Sequence, residues 1–287
     1  MRKEENTMYY ADCHIHSIYS IEEIPPDDPS AQIDTICDAA VAAGMSEIAI
    51  TDHYEVNLIV EEKDRKKADP EAAREAVEAA KEKYAGRLHV SFGVELGQPE
   101  EYPEHVEELF SKIKFDYALG SLHTMPGIQD FAFFDYANMS QEEIEDLFDL
   151  SLKYLMTICD VPQVNSLAHF NYMHKFVRAA GREMDFGKHY EPLRELYRKM
   201  IRNGKALEVN TQSMCVCSDL TLPCHELIRL YRETGGEMVT FGSDTHGIDD
   251  YGIGNGIKST YGFLADTGFR YITVFHEGKP VMERIDR

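Results

Sequence analysis

Tyr9-Tyr10-Ala11-Asp12-Cys13-His14-Ile15-His16 is the first apolar run of the chain, and it ends in two imidazoles. Read as a strand, it turns residues two apart to the same face, so His14 and His16 stand side by side and can grip one metal ion. Alone, such a pair also fits two surface histidines. Three later runs end in the same kind of group: Ile48-Ala49-Ile50-Thr51-Asp52-His53, Ala118-Leu119-Gly120-Ser121-Leu122-His123 and Val239-Thr240-Phe241-Gly242-Ser243-Asp244-Thr245-His246. Strand after strand delivers a ligand-type side chain at its C-terminal end.

Between these runs the pattern alternates. Clustered Ser, Pro and acidic residues from Ser17 to Ser30 read as a loop. A helix follows to Gly44, with Ile33, Ile36, Cys37, Ala40 and Val41 at helical spacing, and Glu47 to Thr51 is the next strand. Strand, helix and strand within about 40 residues make a βα unit with parallel pairing. The alternation continues through helices at 71–84, 103–114, 141–159, 189–202 and 223–234, and strands at 88–95, 117–122, 164–168, 206–210, 237–243 and 270–275. Asp69-Pro70 caps the first of those helices, and Ser140-Gln141-Glu142-Glu143 has the form of a capping box for the third. No linker interrupts the series, so residues 1–287 are expected to form a single α/β domain of about seven or eight βα units, closed or nearly closed into a barrel.

The 287 residues suit such a barrel, and 43% hydrophobic and 28% charged residues are ordinary globular values. No run of 18 or more apolar residues occurs and no signal-like segment follows Met1, so a soluble, cytoplasmic protein without a membrane partner is expected. The formal net charge of −22 disfavours nucleic acid, whose phosphates a chain rich in Asp and Glu repels. It does not disfavour a small phosphorylated substrate, because bound divalent cations reverse the field locally. The six cysteines show no disulfide-framework spacing, which fits a reducing compartment.

In barrels of this kind the active site is assembled at the C-terminal ends of the strands. His14, His16, Asp52, His53, Glu95, His123, His169, Glu208, Asn210, Asp244 and His246 all fall on that rim. Crowding so many imidazoles and carboxylates is costly unless metal neutralises them, and mixed N/O donors suit Zn, Mn or Fe better than Ca or Mg. His89, His105 and His225 read instead as structural or solvated, and His174, His189 and His276 are not expected to be ligands.

Taken in order, DCHIH, ITDH, GVE, GSLH, AHF, EVNT and GSDTH resemble the PHP superfamily (polymerase and histidinol phosphatase). Ser121-Leu122-His123, Ala168-His169-Phe170-Asn171, Leu207-Glu208-Val209-Asn210-Thr211 and Gly242-Ser243-Asp244-Thr245-His246 look like its histidinol-phosphate phosphatase branch. The resemblance implies a distorted (β/α)7 barrel with two or three divalent ions. His14, His16, Glu95 and Asp244 would hold the first, Glu95 would bridge to a second completed by His123 and His169, and His53 and His246 would hold a third. Relatives often carry a further histidine in the loop after the first motif. That loop has none here, which leaves Glu22, with Glu23 beside it, as the candidate.

The chemistry expected is metal-assisted hydrolysis of a phosphate monoester, histidinol phosphate first among them, with water acidified by two ions attacking phosphorus in line with the ester oxygen. Glu95 and Asp244 are its central carboxylates, and Asp52 or His246 would assist the leaving alcohol. Lys175 and Arg178 are candidates for gripping phosphate, and Glu208, with Asn210 nearby, for a cationic leaving portion. The alternatives are another small phosphomonoester or nucleotide as substrate, and a non-catalytic metal-binding barrel. Met125 to Asn138, with Phe131, Phe133, Phe134 and Tyr136, reads as a lid, a side wall or a packed loop.

Overall fold

The computed structural model describes residues 8–20, 24–25, 27–57, 68–248 and 252–285. Glu22 and Glu23 lie outside them. Seven strands run parallel around one sheet in the order β1 (Ala11–Ile15), β2 (Glu47–Ile50), β4 (His89–Gly97), β5 (Tyr117–Ser121), β6 (Ser166–Leu167), β7 (Ala206–Asn210) and β8 (Val239–Gly242). The ring closes just beyond the ends of β8 and β1, where Asp244 N donates to His14 O at 2.8 Å and His16 N to Thr245 O at 2.9 Å. Parallel strands covered on both faces must be apolar almost throughout, which is why their sequences read as continuous runs. Most of the ionisable groups that break those runs stand at the C-terminal rim, while Glu47 and His89 stand at the opposite end.

Helices pack outside: α1 (Ile33–Ala43), α2 (Pro70–Lys83), α3 (Pro103–Lys112), α4 (Gln141–Ile158), α5 (Met173–Ala179), α6 (Tyr190–Arg202), α7 (His225–Glu233) and α8 (Ile257–Asp266). Their ends follow the local signals. Asp69 accepts from Ala72 N to start α2, and the Ser140/Glu143 capping box is formed in full. Gly44, at φ 77°, ends α1 in a left-handed conformation that costs glycine nothing. No side-chain cap marks the start of α8 in the sequence; it is set by the positive φ of Gly252, Gly254 and Gly256.

Strand β2 does not run straight into its histidine. It pairs with β4 as far as Ile50 with Phe92, breaks at Thr51-Asp52, and the chain re-joins β4 as β3 (His53–Glu55), His53 opposite Glu95. Thr51 stabilises the break, its N donating to Ile15 O and its Oγ1 accepting from Ile15 N. The break places His53 and Glu55, two apart, beside Glu95.

The strand expected at 270–275 forms as β9 (Tyr271–His276) but is no member of the barrel. A two-residue turn at Glu277-Gly278, both at positive φ, sends the chain back as β10 (Lys279–Arg284), and the two pair antiparallel. This hairpin plugs the N-terminal end of the barrel. Val274 and Phe275 are buried against Ala11, Cys13, Ala49, Tyr117, Leu119, Ala168 and Ala206, with Phe275 stacked on Tyr117 at 5.2 Å. The small residues lining the barrel leave room for these two rings, and deleting one such ring typically costs about 3–5 kcal/mol. With the floor sealed, the open end is the C-terminal rim.

Candidate metal centre

At that rim β1 contributes His14 and His16, β4 contributes Glu95, and the turn after β8 contributes Asp244. His14 Nε2 lies 3.1 Å from His16 Nε2, 3.2 Å from Glu95 Oε2 and 3.6 Å from Asp244 Oδ1, while His16 Nε2 lies 3.6 Å from Glu95 Oε2 and 3.1 Å from Asp244 Oδ1. Four ligands at about 2.0–2.1 Å from a tetrahedral ion stand about 3.3 Å apart. The four donor atoms therefore already sit at the vertices of a coordination shell. Two imidazole nitrogens aimed at one another inside a buried nest have no comparable purpose as a hydrogen-bond network.

The other oxygen of Glu95 faces a second group. Glu95 Oε1 is 3.0 Å from His169 Nε2 and 3.3 Å from His123 Nε2, so one carboxylate spans two donor sets. A third set is formed by His16, His53 and His246, whose nitrogens lie within 4.8 Å of one another, and His16 stacks between His53 at 4.2 Å and His246 at 4.3 Å. His53 Nδ1 also lies 2.9 Å from Glu95 Oε2. All eight rim ligands expected within the described residues thus converge on one nest.

Carboxylates behind the nest fix the imidazole tautomers. His14 Nδ1 is 2.6 Å from Glu208 Oε1 and His123 Nδ1 is 2.9 Å from Glu55 Oε1, while His246 Nδ1 donates to the carbonyl of Asp244 at 3.0 Å. With Nδ1 carrying the proton in each, Nε2 presents its lone pair, the arrangement a metal-ligating histidine needs. Glu55 is the residue that the sequence reading missed. The signal was the period-two spacing His53-Tyr54-Glu55, legible only if the strand resumes after Asp52.

Charge in the nest is strongly coupled. Burial alone would push His14 down, but Glu208, Asp244 and Glu95 together hold it well above the ordinary imidazole range. Burial opposes the same shift at His123, where Glu55 and Glu95 raise it to about 10. Against the effect of burial, the histidines hold Glu95 and Asp244 below the ordinary carboxylate range. His16, buried and flanked by His53 and His246, is pushed down to about 3. Protons and metal ions compete for the same donors here. Asp244, at φ 54°, and His169, at φ 21°, also adopt backbone conformations uncommon outside glycine, as residues at built sites often do.

Four expected site residues do other work. Asp52 is turned away from the nest: its oxygens accept from Ser17 N and Ser17 Oγ and hold the loop after β1. Glu208 is buried beneath His14 and accepts from His169 N at 2.7 Å, so it cannot face an incoming leaving group. Asn210 is buried too, and donates to Asp244 Oδ2 and Glu208 Oε2. Arg178 bonds to Glu183 and the Cys217 sulfur, away from the nest.

The nest opens into a cavity of about 1430 Å³. Lys175 lines it, beside Gln212, as do Tyr172 and His246. The segment after His123 forms a side wall: Phe131 and Tyr136 are buried beneath it, and Phe133, 74% exposed, stands at the mouth. Glu100 and Glu101 line the same cavity, and both carboxylate oxygens of Glu100 are buried without a hydrogen-bond partner among the described residues. Burial pushes the Glu100 carboxyl up to about 8, with Glu101 beside it adding to the shift.

The PHP domain family model matches residues 12–212, a span that begins within β1 and includes every nest residue except Asp244 and His246. The chain belongs to the PHP domain family. A probable histidinol-phosphatase of Clostridium acetobutylicum is 27% identical over 248 residues, covering 84% of this chain and 88% of that protein. A probable histidinol-phosphatase of Thermotoga maritima is 24% identical over 280 residues, covering 94% and 97%. Among solved structures, the histidinol phosphate phosphatase of Lactococcus lactis, complexed with zinc, L-histidinol and phosphate, superposes with a TM-score of 0.73 at 17% identity, covering 96% of this chain and all of that one. The PHP barrel is thus shared along nearly the whole chain.

Proposed function

We propose that this PHP domain is a metal-dependent phosphomonoesterase whose substrate is L-histidinol phosphate. The observation that carries the reading is the shell-like spacing of His14, His16, Glu95 and Asp244, with Glu95 reaching a second donor set, at the closed end of a cavity large enough for a small ester. The donor set fits two or three divalent ions of the Zn, Mn or Fe class: His14, His16, Glu95 and Asp244 for one, Glu95, His123 and His169 for the next, and His53 and His246 for a third. When bound, such ions supply Lewis acidity toward phosphoryl oxygens and acidify water.

The chain's own residues do the remaining work. Glu208 and Glu55 keep His14 and His123 in the ligating tautomer. Lys175, held by Gln212 at the cavity wall, is placed to pair with a phosphoryl oxygen. Where only two ions bind, His246, the partly exposed imidazole at the rim, would assist the leaving alkoxide. Glu100 supplies the buried carboxylate that a cationic alcohol such as histidinol would satisfy. The names and the bound ligands of the similar proteins support the same substrate.

The test is phosphate release from L-histidinol phosphate beside a panel of other phosphomonoesters and short oligonucleotides, with Zn or Mn loaded separately. Preference for histidinol phosphate by orders of magnitude in kcat/KM is expected, with turnover abolished in Glu95→Gln and Asp244→Asn. Turnover of another ester alone would retain the chemistry and refute the substrate. Activity retained in either variant would refute the shared-carboxylate site.

A further inference from the structure

A second cluster of ligand-type side chains lies at the opposite end of the barrel, and nothing in the proposed hydrolysis uses it. Glu47 and His89 are the first residues of β2 and β4 and are direct partners in the parallel register. Six residues of strand separate His89 from Glu95, about 20 Å at ~3.3 Å per residue. His276, the last residue of β9, reaches the same point from the hairpin that plugs the floor. Its Nε2 lies 3.1 Å from each oxygen of Glu47. The rings of His89 and His276 stand 4.4 Å apart at 33°, and one ligand atom from each of the three residues falls within 4.8 Å of the others.

A hydrogen-bonded pair of Glu47 and His276 explains part of this arrangement. It does not explain His89, a second imidazole laid against the first, whose ring nitrogens bond to nothing among the described residues. Nor does it explain the carboxylate. Glu47 is 1% exposed, and among the described residues no lysine or arginine pairs with it. Its oxygens are held instead by Tyr9 Oη at 2.6 Å and Ser91 Oγ at 3.1 Å, two hydroxyls that fix its orientation. A buried carboxylate without a full cationic partner is costly, and the hydroxyls leave a lone pair on each oxygen directed toward the imidazoles. The 3.1 Å separation matches the ~3.3 Å edge of a tetrahedral shell.

From this geometry we infer that Glu47, His89 and His276 form a separate site for one divalent transition-metal ion of the zinc class, with water completing the shell. Two imidazoles and a carboxylate select Zn, Ni or Cu over Mg and Ca. Two of the three ligands sit on strand starts locked by the backbone bonds Glu47 N to Tyr10 O and His89 N to Ser46 O. The third is tied to the barrel through Gly278 N to Asp116 O at 2.9 Å. The ion clips the C-terminal hairpin to the barrel floor and so stabilises the plug without touching the catalytic rim.

The experiment is a zinc count per chain by mass spectrometry after equilibrium dialysis against Zn2+ alone, on the full-length wild type, His89→Ala and Glu47→Gln. Glu47→Gln removes the charge while one of the two hydroxyls turns to accept from the new amide, and His89 is exposed, so both variants keep the fold. The wild type is expected to hold one ion per chain more than either variant, at equal turnover of the phosphate ester, and to gain thermal stability over a zinc concentration range in which the variants gain none. Equal counts in the wild type and His89→Ala overturn the site. Loss of turnover in parallel with loss of the ion also overturns it, because the missing ion then belongs to the rim.

Discussion

Glu208→Gln separates the two roles this residue can be given. The carboxylate serves three donors at once, His14 Nδ1 at 2.6 Å, His169 N at 2.7 Å and Asn210 Nδ2 at 3.3 Å. An amide of the same shape offers one oxygen and one NH2, so whichever way it turns, at least one of those donors faces another donor. One charge-assisted hydrogen bond is lost, worth about 1.5–3 kcal/mol. That energy falls on the tautomer and position of His14 or on the backbone that carries His169, both in the metal nest. Losing a carboxylate behind a metal-ligating histidine typically weakens metal binding about 10–100-fold, which is the same magnitude in another unit. The assay is competition for the tightest-bound ion against a chelator of known affinity, with kcat and KM then measured at saturating metal. The expected result is a metal affinity lowered by that factor, with KM for the ester unchanged once metal is restored. A raised KM with unaltered metal affinity would refute the argument and return Glu208 to the substrate.

Two further changes test the cavity and the core. Glu100→Gln is expected to lower kcat/KM for L-histidinol phosphate about 10–100-fold, the worth of one charge-assisted contact, and to leave p-nitrophenyl phosphate, which has no cation, untouched; equal losses on both esters would remove Glu100 from substrate recognition. His174 is buried edge-on to Phe186, and burial, with Arg178 nearby, pushes it down to about 4 from an ordinary 6.5. The folded state therefore holds it neutral while the unfolded chain takes up a proton, so stability is present above pH 6.5 and drains away as pH falls toward 4, by about 2 kcal/mol between pH 7 and pH 5. Urea denaturation of the wild type and His174→Gln at those two pH values should show a pH loss smaller by that amount in the variant, and an identical loss in both would refute it.

The rim was legible because a parallel barrel forces simple grammar on a sequence. Each strand is mainly apolar, and each ending at the open face shows as a polar residue after an apolar run. His14, His16, Glu95, His123, His169 and Asp244 were found that way, and the structure brings them together. Errors arose where one dimension hides direction. Asp52 and His53 are neighbours in sequence, but the break at Thr51 sends Asp52 back to Ser17 and carries His53, and Glu55 after it, into the nest. Glu208 stands at a strand end like the others, yet it points under His14 instead of over it. Lys175 and Arg178 are three apart on one helix, and only the placement of α5 against Gln212 and Glu183 decides which one reaches the cavity. The final hairpin was hidden by its Glu-Gly turn, whose left-handed glutamate gives a weaker signal than asparagine or aspartate would.

The electrostatics of the cavity tie the substrate to the fold more closely than the net charge does. A chain at −22 should repel a phosphate dianion, yet remote carboxylates are screened within about 8 Å at physiological salt while cations at the rim are not. On the proposed reading the phosphate is therefore met by the metal nest and Lys175. On the same reading the cationic part is met by Glu100 on the cavity wall, whose carboxyl burial pushes up to about 8. A nucleotide would fill the phosphate site but offer that carboxyl only hydrogen bonds from a neutral base and no cation. An alcohol carrying an ammonium or imidazolium group answers it: pairing draws the carboxyl into its charged form, expels a proton, and turns a buried group with no partner into a specificity contact. A cationic phosphomonoester is the substrate class that would satisfy the metal nest and the Glu100 carboxyl at once.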